Sequence, residues 1–378
     1  MVMKKYHLFA AVAAIASLAA CTKSPVTTVE QEEDARVAVR FGLGAPLDVR
    51  VKSVGSVGGT EAQGNVWNGQ ELKIYGFERT VADFTSAAFI DNVSATAPVG
   101  EQKGALSVTN AAANNEPFYY TSGLYYDFYG YFIDDAATAE PVKTAEGIYV
   151  PFTLDGSQDL MIAKADQQTD IDAAGAADKV TEARAYSAYA ARRGVQPTLS
   201  FKHLLSRFTF KIVAGSESAA DISVDAISLV SRNSGNLVVV GGARGLADIA
   251  ENTVELFLQQ RGENGAMETL TPAKTGAYTE SRDNAVSVGE SLMVIPGEAE
   301  YALKIYMSKD GSETAIEPYT RTIKISEITG APEGATAFDA GYSYDVTAVI
   351  YGLEDVRITA ELEPWKDGGH TTIDPDEE

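Results

Sequence analysis

The pattern of the chain predicts an all-β protein of two antiparallel β-sandwich domains, with one Ala-rich insertion that is helical or mobile. Three observations predict it. Short alternating apolar runs recur along the sequence, Gly, Asn, Asp and Pro separate them, and 378 residues suit two domains better than one. The 45% hydrophobic and 22% charged residues are those of a globular chain. With 30 basic against 53 acidic side chains the net charge is -23, which repels phosphate backbones and excludes nucleic acid as a partner. A single Cys rules out an internal disulfide, a cysteine-rich zinc site and a CxxC redox centre.

Residues 1–20 read as a processing signal: Lys4 and Lys5 precede the apolar run Leu8 to Leu18, which is too short to span a bilayer permanently. Its end, Leu18-Ala19-Ala20-Cys21, matches the bacterial lipobox in all four positions, so Cys21 is the expected lipidation site; the alternative is an ordinary signal peptide with a cysteine near its cleavage point. Residues 21–36 read as a flexible lipidated tether rich in Thr, Ser and Pro, ending in the acidic cluster Glu30-Gln31-Glu32-Glu33-Asp34.

From residue 37 the strands begin. Val37, Val39 and Phe41 alternate with Ala38, Arg40 and Gly42, and Leu47, Val49 and Val51 alternate with Asp48, Arg50 and Lys52. Further strands are expected at 71–77, 118–120, 125–132, 147–154, 160–163, 198–201 and 207–213 in a first domain, 37–214. A second domain, 215–378, is expected to hold strands at 226–230, 237–240, 254–258, 291–295, 302–307, 319–325, 342–350 and 355–362. Asp170 to Arg193, rich in Ala and free of Pro, is the insertion, and it carries no recognisable site chemistry.

Catalytic motifs are missing from the sequence: it has no GxSxG elbow, no P-loop and no HExxH. His203, in Phe201-Lys202-His203-Leu204-Leu205, reads as a hydrogen-bonded structural histidine beside a core strand. Gly241-Gly242-Ala243-Arg244-Gly245 reads as a hairpin turn, and no DxDxDG calcium loop occurs. No enzyme activity, metal or cofactor is expected. The densest cluster of aromatic residues lies between Pro117 and Phe132; alternation puts Tyr126, Phe128 and Phe132 on one face and Tyr125, Tyr129 and Tyr131 on the other. The first face is core. The second either packs or stacks on a ligand such as a sugar.

The lipobox, Val66-Trp67-Asn68-Gly69 leading into Leu72-Lys73-Ile74-Tyr75-Gly76-Phe77, the aromatic strand Tyr125 to Phe132, Asp159-Leu160-Met161-Ile162-Ala163 and Leu199-Ser200-Phe201-Lys202-His203-Leu204-Leu205-Ser206-Arg207 follow one another in an order that resembles the fimbrillin-like lipoproteins of Bacteroidales bacteria. The resemblance runs from the signal to the Trp365 segment. It implies two transthyretin-like sandwiches of Greek-key character and a role as stalk, tip or anchor subunit of a type V pilus. It also implies a lipid-anchored outer-membrane location, assembly with other pilin subunits or with itself, and support of adhesion to a host or bacterial surface ligand.

In polymerising members an arginine-specific protease removes the first strand, and a neighbour's strand refills the groove. Here the removable strand would be Val37, Val39 and Phe41, with Arg36, Arg40 and Arg50 as cleavage positions, Arg40 and Arg50 favoured. The donor strand would be Val356, Ile358, Ala360 and Leu362, which alternate with Arg357, Thr359, Glu361 and Glu363 and equally suit a last strand folded back into its own domain. The alternative function is a surface glycan-binding lipoprotein that does not polymerise.

Overall fold

The computed structural model describes residues 36–44 and 67–363, apart from 87, 109, 135, 136, 139, 264, 282, 310–312, 315 and 316. The signal, Cys21, the tether up to residue 35, the expected strand from Leu47 with Arg50, and Trp365 lie outside the described residues.

Aromatic and β-branched residues at every second position build the central sheet of the N-terminal half. Among the described residues it has six strands, in the spatial order Lys202–His203, Leu160–Lys164, Tyr126–Ile133, Glu71–Glu78, Ile90–Thr96 and Ser107–Val108, and every pairing is antiparallel. Both faces of this sheet are buried. Leu72, Ile74, Tyr126, Phe128, Phe132 and Met161 pack on one side against Val39, Phe41, Leu43 and the Ala-rich insertion. Tyr75, Phe77, Tyr129, Tyr131 and Leu160 pack on the other against Ile148, Val150, Phe152, Leu237 and Val239 of a second sheet. That second sheet pairs Gly147–Thr153 with Ser234–Gly241, which in turn pairs with Gly245–Ala247.

The C-terminal half is a sandwich. One sheet runs Val286–Val294, Ser206–Ala214, Ser343–Ile350, Val356–Glu363. The other runs Thr253–Phe257, Ile222–Arg232, Glu300–Lys309, with Tyr319–Lys324 also paired to Glu300–Lys309. Phe208, Phe210, Ile227, Leu229, Leu303, Ile305, Phe338 and Tyr344 fill the space between them.

The all-β architecture is as the pattern predicts, with two departures from purely antiparallel pairing. Ser206–Ala214 runs parallel to Ser343–Ile350 over Arg207↔Ser343 to Ala214↔Ile350, and Gly42–Leu43 runs parallel to Thr198–Leu199. Ser206–Ala214, which ends at the expected boundary near residue 214, is a strand of the C-terminal sandwich and not of the first domain. Beyond it, the hairpin 234–247 returns to pair with Gly147–Thr153, so Val37–Glu378 forms one compact unit. The insertion is partly helical, with Gln167–Ala173 and Ala188–Ala191. Among the described residues no helix is long and apolar enough to cross a membrane, and no group of three or more His, Cys, Asp and Glu could hold a metal ion.

Candidate functional site: the slot of the first strand

Alternation turns Val39, Phe41 and Leu43 inward, 7%, 4% and 1% exposed, and leaves Arg40 in solvent. The same geometry sends the backbone groups of odd and even residues to opposite edges, and both edges are occupied. On one edge Val39 N donates to Phe118 O at 2.7 Å, Tyr120 N to Val37 O at 2.9 Å and Leu106 N to Phe41 O at 2.9 Å. On the other, Arg40 N donates to Gln196 Oε1 at 3.1 Å, Gly42 N to Pro197 O at 3.0 Å and Gly44 N to Leu199 O at 3.1 Å. Residues 37–44 therefore lie in a slot between 104–106 with 118–120 and 196–199. Gly42–Leu43 is the middle strand of the three-stranded sheet Thr198–Leu199, Gly42–Leu43, Gly104–Ala105.

The floor of the slot is aromatic. Phe41 meets Phe128 edge to face, with ring centroids 5.1 Å apart. Trp67, fully buried, donates its Nε1–H to Gly44 O at 3.2 Å and packs on Phe201 at 5.8 Å. Phe201 reaches this position because residue 130 is glycine: a Cβ there would stand 2.7 Å from Phe201 Cζ.

The wall at Thr198 is held from the insertion. Asp166 caps helix Gln167–Ala173 through Thr169 N at 2.8 Å, and the next turn carries Asp170 inward. Its carboxylate accepts the Tyr186 hydroxyl at 2.5 Å and Thr198 N at 2.9 Å. Burial pushes the Asp170 carboxyl above the usual range, against the lowering effect of the Tyr186 and Thr198 hydrogen bonds. Burial and the Asp170 charge together push the Tyr186 phenol up. Tyr186 itself sits at φ 52, a conformation unusual for an aromatic residue, and its carbonyl accepts Tyr126 N at 3.1 Å. Arg79 ties the same stretch to the central sheet, bonding Asp127 Oδ1 at 3.2 Å, Tyr126 O at 3.0 Å and Glu182 O at 2.8 Å. The insertion thus does carry site chemistry, contrary to its bland composition.

The remaining sequence-derived positions fall as follows. Arg36 and Arg40 are exposed, one before the strand and one within it. Val356–Glu363 is the edge strand of its sheet, paired along Ser343↔Glu363 to Ile350↔Val356. Val356 and Ala360 are buried, and Ile358 packs against the same core. Tyr125 is half-buried, whereas Tyr129 and Tyr131 lie inside the core, with 7% and 5% exposure. Lys164 Nζ and the Arg244 guanidinium lie 5.5 and 5.7 Å from the Tyr129 ring centroid, and Tyr131 stacks on Tyr75 at 6.3 Å. Burial pushes both phenols up to about 12. Packing, the first of the two roles weighed for this face, describes Tyr129 and Tyr131; a sugar has no open ring face there. His203 is the hydrogen-bonded structural residue the sequence suggests, with Nδ1 2.6 Å from Asp159 Oδ2.

The strand order defines an all-β protein, and comparison with known proteins gives its family. The fimbrillin-like family profile matches residues 60–365, and the chain belongs to that family. The first strand, 37–44, precedes the matched span. A candidate cell-adhesion protein of Bacteroides uniformis superposes with a TM-score of 0.50 at 16% identity, covering 88% of this chain and 100% of its own, and shares the fold. A similarly described protein of Bacteroides ovatus gives 0.48 at 16% identity, with 88% and 98% covered. The fimbrillin of Porphyromonas gingivalis gives 0.40 at 9% identity, with 88% and 99% covered. No curated protein matches the chain. Family membership makes this a pilus-subunit or adhesion protein of the cell surface, in a family of structural proteins.

Proposed function

We infer that the chain is a structural or accessory subunit of a type V pilus, lipid-anchored to the outer membrane through Cys21 and joined to its neighbours by protease-triggered strand exchange. The observation that carries this reading is the slot. The first strand is bonded on both edges and feeds three side chains into the core, and it is the first segment of the described residues. Its removal would bare backbone donors and acceptors on two walls and a strip of apolar floor, which is a template for strand addition.

The three arginines differ in what a cut would do. Cleavage after Arg36 leaves the strand attached, and cleavage after Arg40 splits it. Cleavage after Arg50, which follows the strand in sequence, frees all of it. At the far end Val356–Glu363 pairs with Ser343–Ile350 and is also held by Thr329 N on Ala360 O at 3.0 Å and by the Tyr319 hydroxyl on Val356 O at 2.8 Å, so leaving its sheet to enter a neighbour's slot breaks one ladder and these two bonds. In this reading the N-terminal half and the C-terminal sandwich, linked by the 234–247 hairpin that pairs with Gly147–Thr153, act as one building block.

Limited trypsin treatment of the folded mature protein tests this reading. A new N-terminus after Arg40 or Arg50, followed by ladder-forming oligomers on gel filtration once other pilin subunits are added, is the expected result; a clipped protein that keeps its strand and stays monomeric in the presence of those subunits contradicts it. Cys21→Ser should move the protein from the membrane fraction to the soluble fraction.

A further inference from the structure

We propose that the slot selects its occupant by a glycine register: it admits an extended segment of the form apolar-x-apolar-Gly-apolar-Gly and rejects one with side chains at the two glycine positions. This rests on the strand-exchange reading and names the partner's chemistry. In this chain the pattern is Val39-Arg40-Phe41-Gly42-Leu43-Gly44. A Cβ at residue 42 would stand 2.9 Å from Thr198 Oγ1, and one at residue 44 would stand 2.5 Å from Ser200 Oγ, 3.3 Å from its Cβ and 3.4 Å from its Cα. Neither glycine needs a left-handed backbone; close approach of the parallel wall is what demands them.

The wall is held at Thr198. Thr198 is held twice by the buried Asp170, which accepts its backbone N–H at 2.9 Å and its hydroxyl, and Asp170 is held in turn by Tyr186. Turning the Thr198 side chain away breaks its bond to Asp170. Ser200 is exposed, and turning its hydroxyl away leaves contacts of only 3.3 Å to its Cβ and 3.4 Å to its Cα, so residue 44 is the more tolerant position and residue 42 sets the register.

The consequence concerns which strand can enter. The chain's own last strand, Val356-Arg357-Ile358-Thr359-Ala360-Glu361-Leu362, has the apolar alternation but no glycine. With Ala360 in the place of Phe41 the neighbours of Thr198 and Ser200 become Glu361 and Glu363, and with Ile358 there they become Thr359 and Glu361. The occupant that replaces the first strand is therefore the glycine-bearing strand of a different subunit, not the last strand of a second copy.

The test uses the full chain with a protease site inserted in residues 45–66, nicked after folding and offered fluorescent peptides. The Val37–Gly44 peptide should exchange into the slot. The same peptide with Gly42→Ala and Gly44→Ala should bind at least tenfold more weakly, and the Val356–Glu363 peptide should not be captured. Equal binding of the three overturns the glycine register and leaves strand exchange standing; entry of no peptide into a nicked protein that has lost its strand overturns strand exchange instead. A second measurement needs no exchange. In the intact chain Gly42→Ala should lower the unfolding midpoint, and should lower it by less than half as much in a Thr198→Ala background. The same drop in both backgrounds overturns the inference.

Discussion

Phe41 stands perpendicular to Phe128, with ring centroids 5.1 Å apart and planes at 90°, and this contact joins the first strand to the middle of the central sheet. Phe41→Ala removes a ring that is 4% exposed and leaves a cavity bounded by Phe128 and its neighbours. The expected cost is about 3–5 kcal/mol, with less than half of that for Phe41→Leu, measured by urea denaturation. A loss below about 1 kcal/mol would mean that the strand is not part of the cooperative fold.

Asp170 makes the slot wall pH-dependent. Its folded-state pKa lies above the unfolded value of about 3.9 because the carboxyl is buried. As pH falls through the raised value, the native state takes up a proton that the unfolded chain does not. The contribution is therefore largest below the unfolded value and lost as pH rises through the folded one. Stability of the wild type relative to Asp170→Asn should rise as pH is lowered from about 7 to about 4; a flat or falling difference in urea midpoints contradicts this.

Glu255 behaves in the opposite sense. Burial alone would raise its pKa, but bonds from Lys304 at 2.6 Å, Tyr306 at 2.6 Å and Ser228 at 2.7 Å outweigh it and hold the carboxyl below its ordinary value. The contribution is present above about pH 4.3 and fades as pH falls through the depressed folded value. The side chains of Glu255 and Lys304 are 22% and 29% exposed, so solvent screens the pair and Glu255→Gln should cost only about 1 kcal/mol at neutral pH. The acceptor Glu255, with burial second, pushes the Tyr306 phenol up to about 12. Glu255→Gln should bring that phenol down toward about 10, read as a difference titration against Tyr306→Phe.

His203 and Asp159 form a buried pair with side-chain exposures of 1% and 0%. His203→Ala leaves the buried Asp159 carboxyl without its 2.6 Å partner, and should cost about 1–3 kcal/mol. The double variant Asp159→Leu with His203→Leu should cost less than the sum of the single changes, because it leaves neither buried polar group without its partner. Additivity in a double-mutant cycle would show that the pair is not energetically coupled.

Much of this architecture is legible in the sequence, for reasons that also explain where legibility stops. Val39, Phe41 and Leu43 announce a half-buried strand because period-two alternation is local, and Tyr126 to Phe132 announce core for the same reason. Strand Ile90–Thr96 is not announced. A bulge sets Asp91 and Asn92 against Tyr75, Asn92 takes φ 50, and the extra residue breaks the alternation. The second burial of the central sheet is also hidden: Tyr129 and Tyr131 are covered by Gly147–Thr153 and the 234–247 hairpin, which come from elsewhere in the chain. Asp170 looks like one more acid in an Ala-rich stretch, and only its partners Tyr186 and Thr198, sixteen and twenty-eight residues on, make it a structural residue.

The first strand's even-numbered edge is bonded to residues far along the chain; Arg40 N and Gln196 Oε1 are separated by 156 positions. Contacts of such separation require a long loop to close and are slow to form. The earliest part of the folded unit to leave the export machinery is therefore the last to find its place. Until residues 196–199 arrive, nothing can hold it on both sides. A folding molecule passes through a period with its first strand unplaced, so the docking of that strand depends on how late residues 196–199 become available as well as on its contacts.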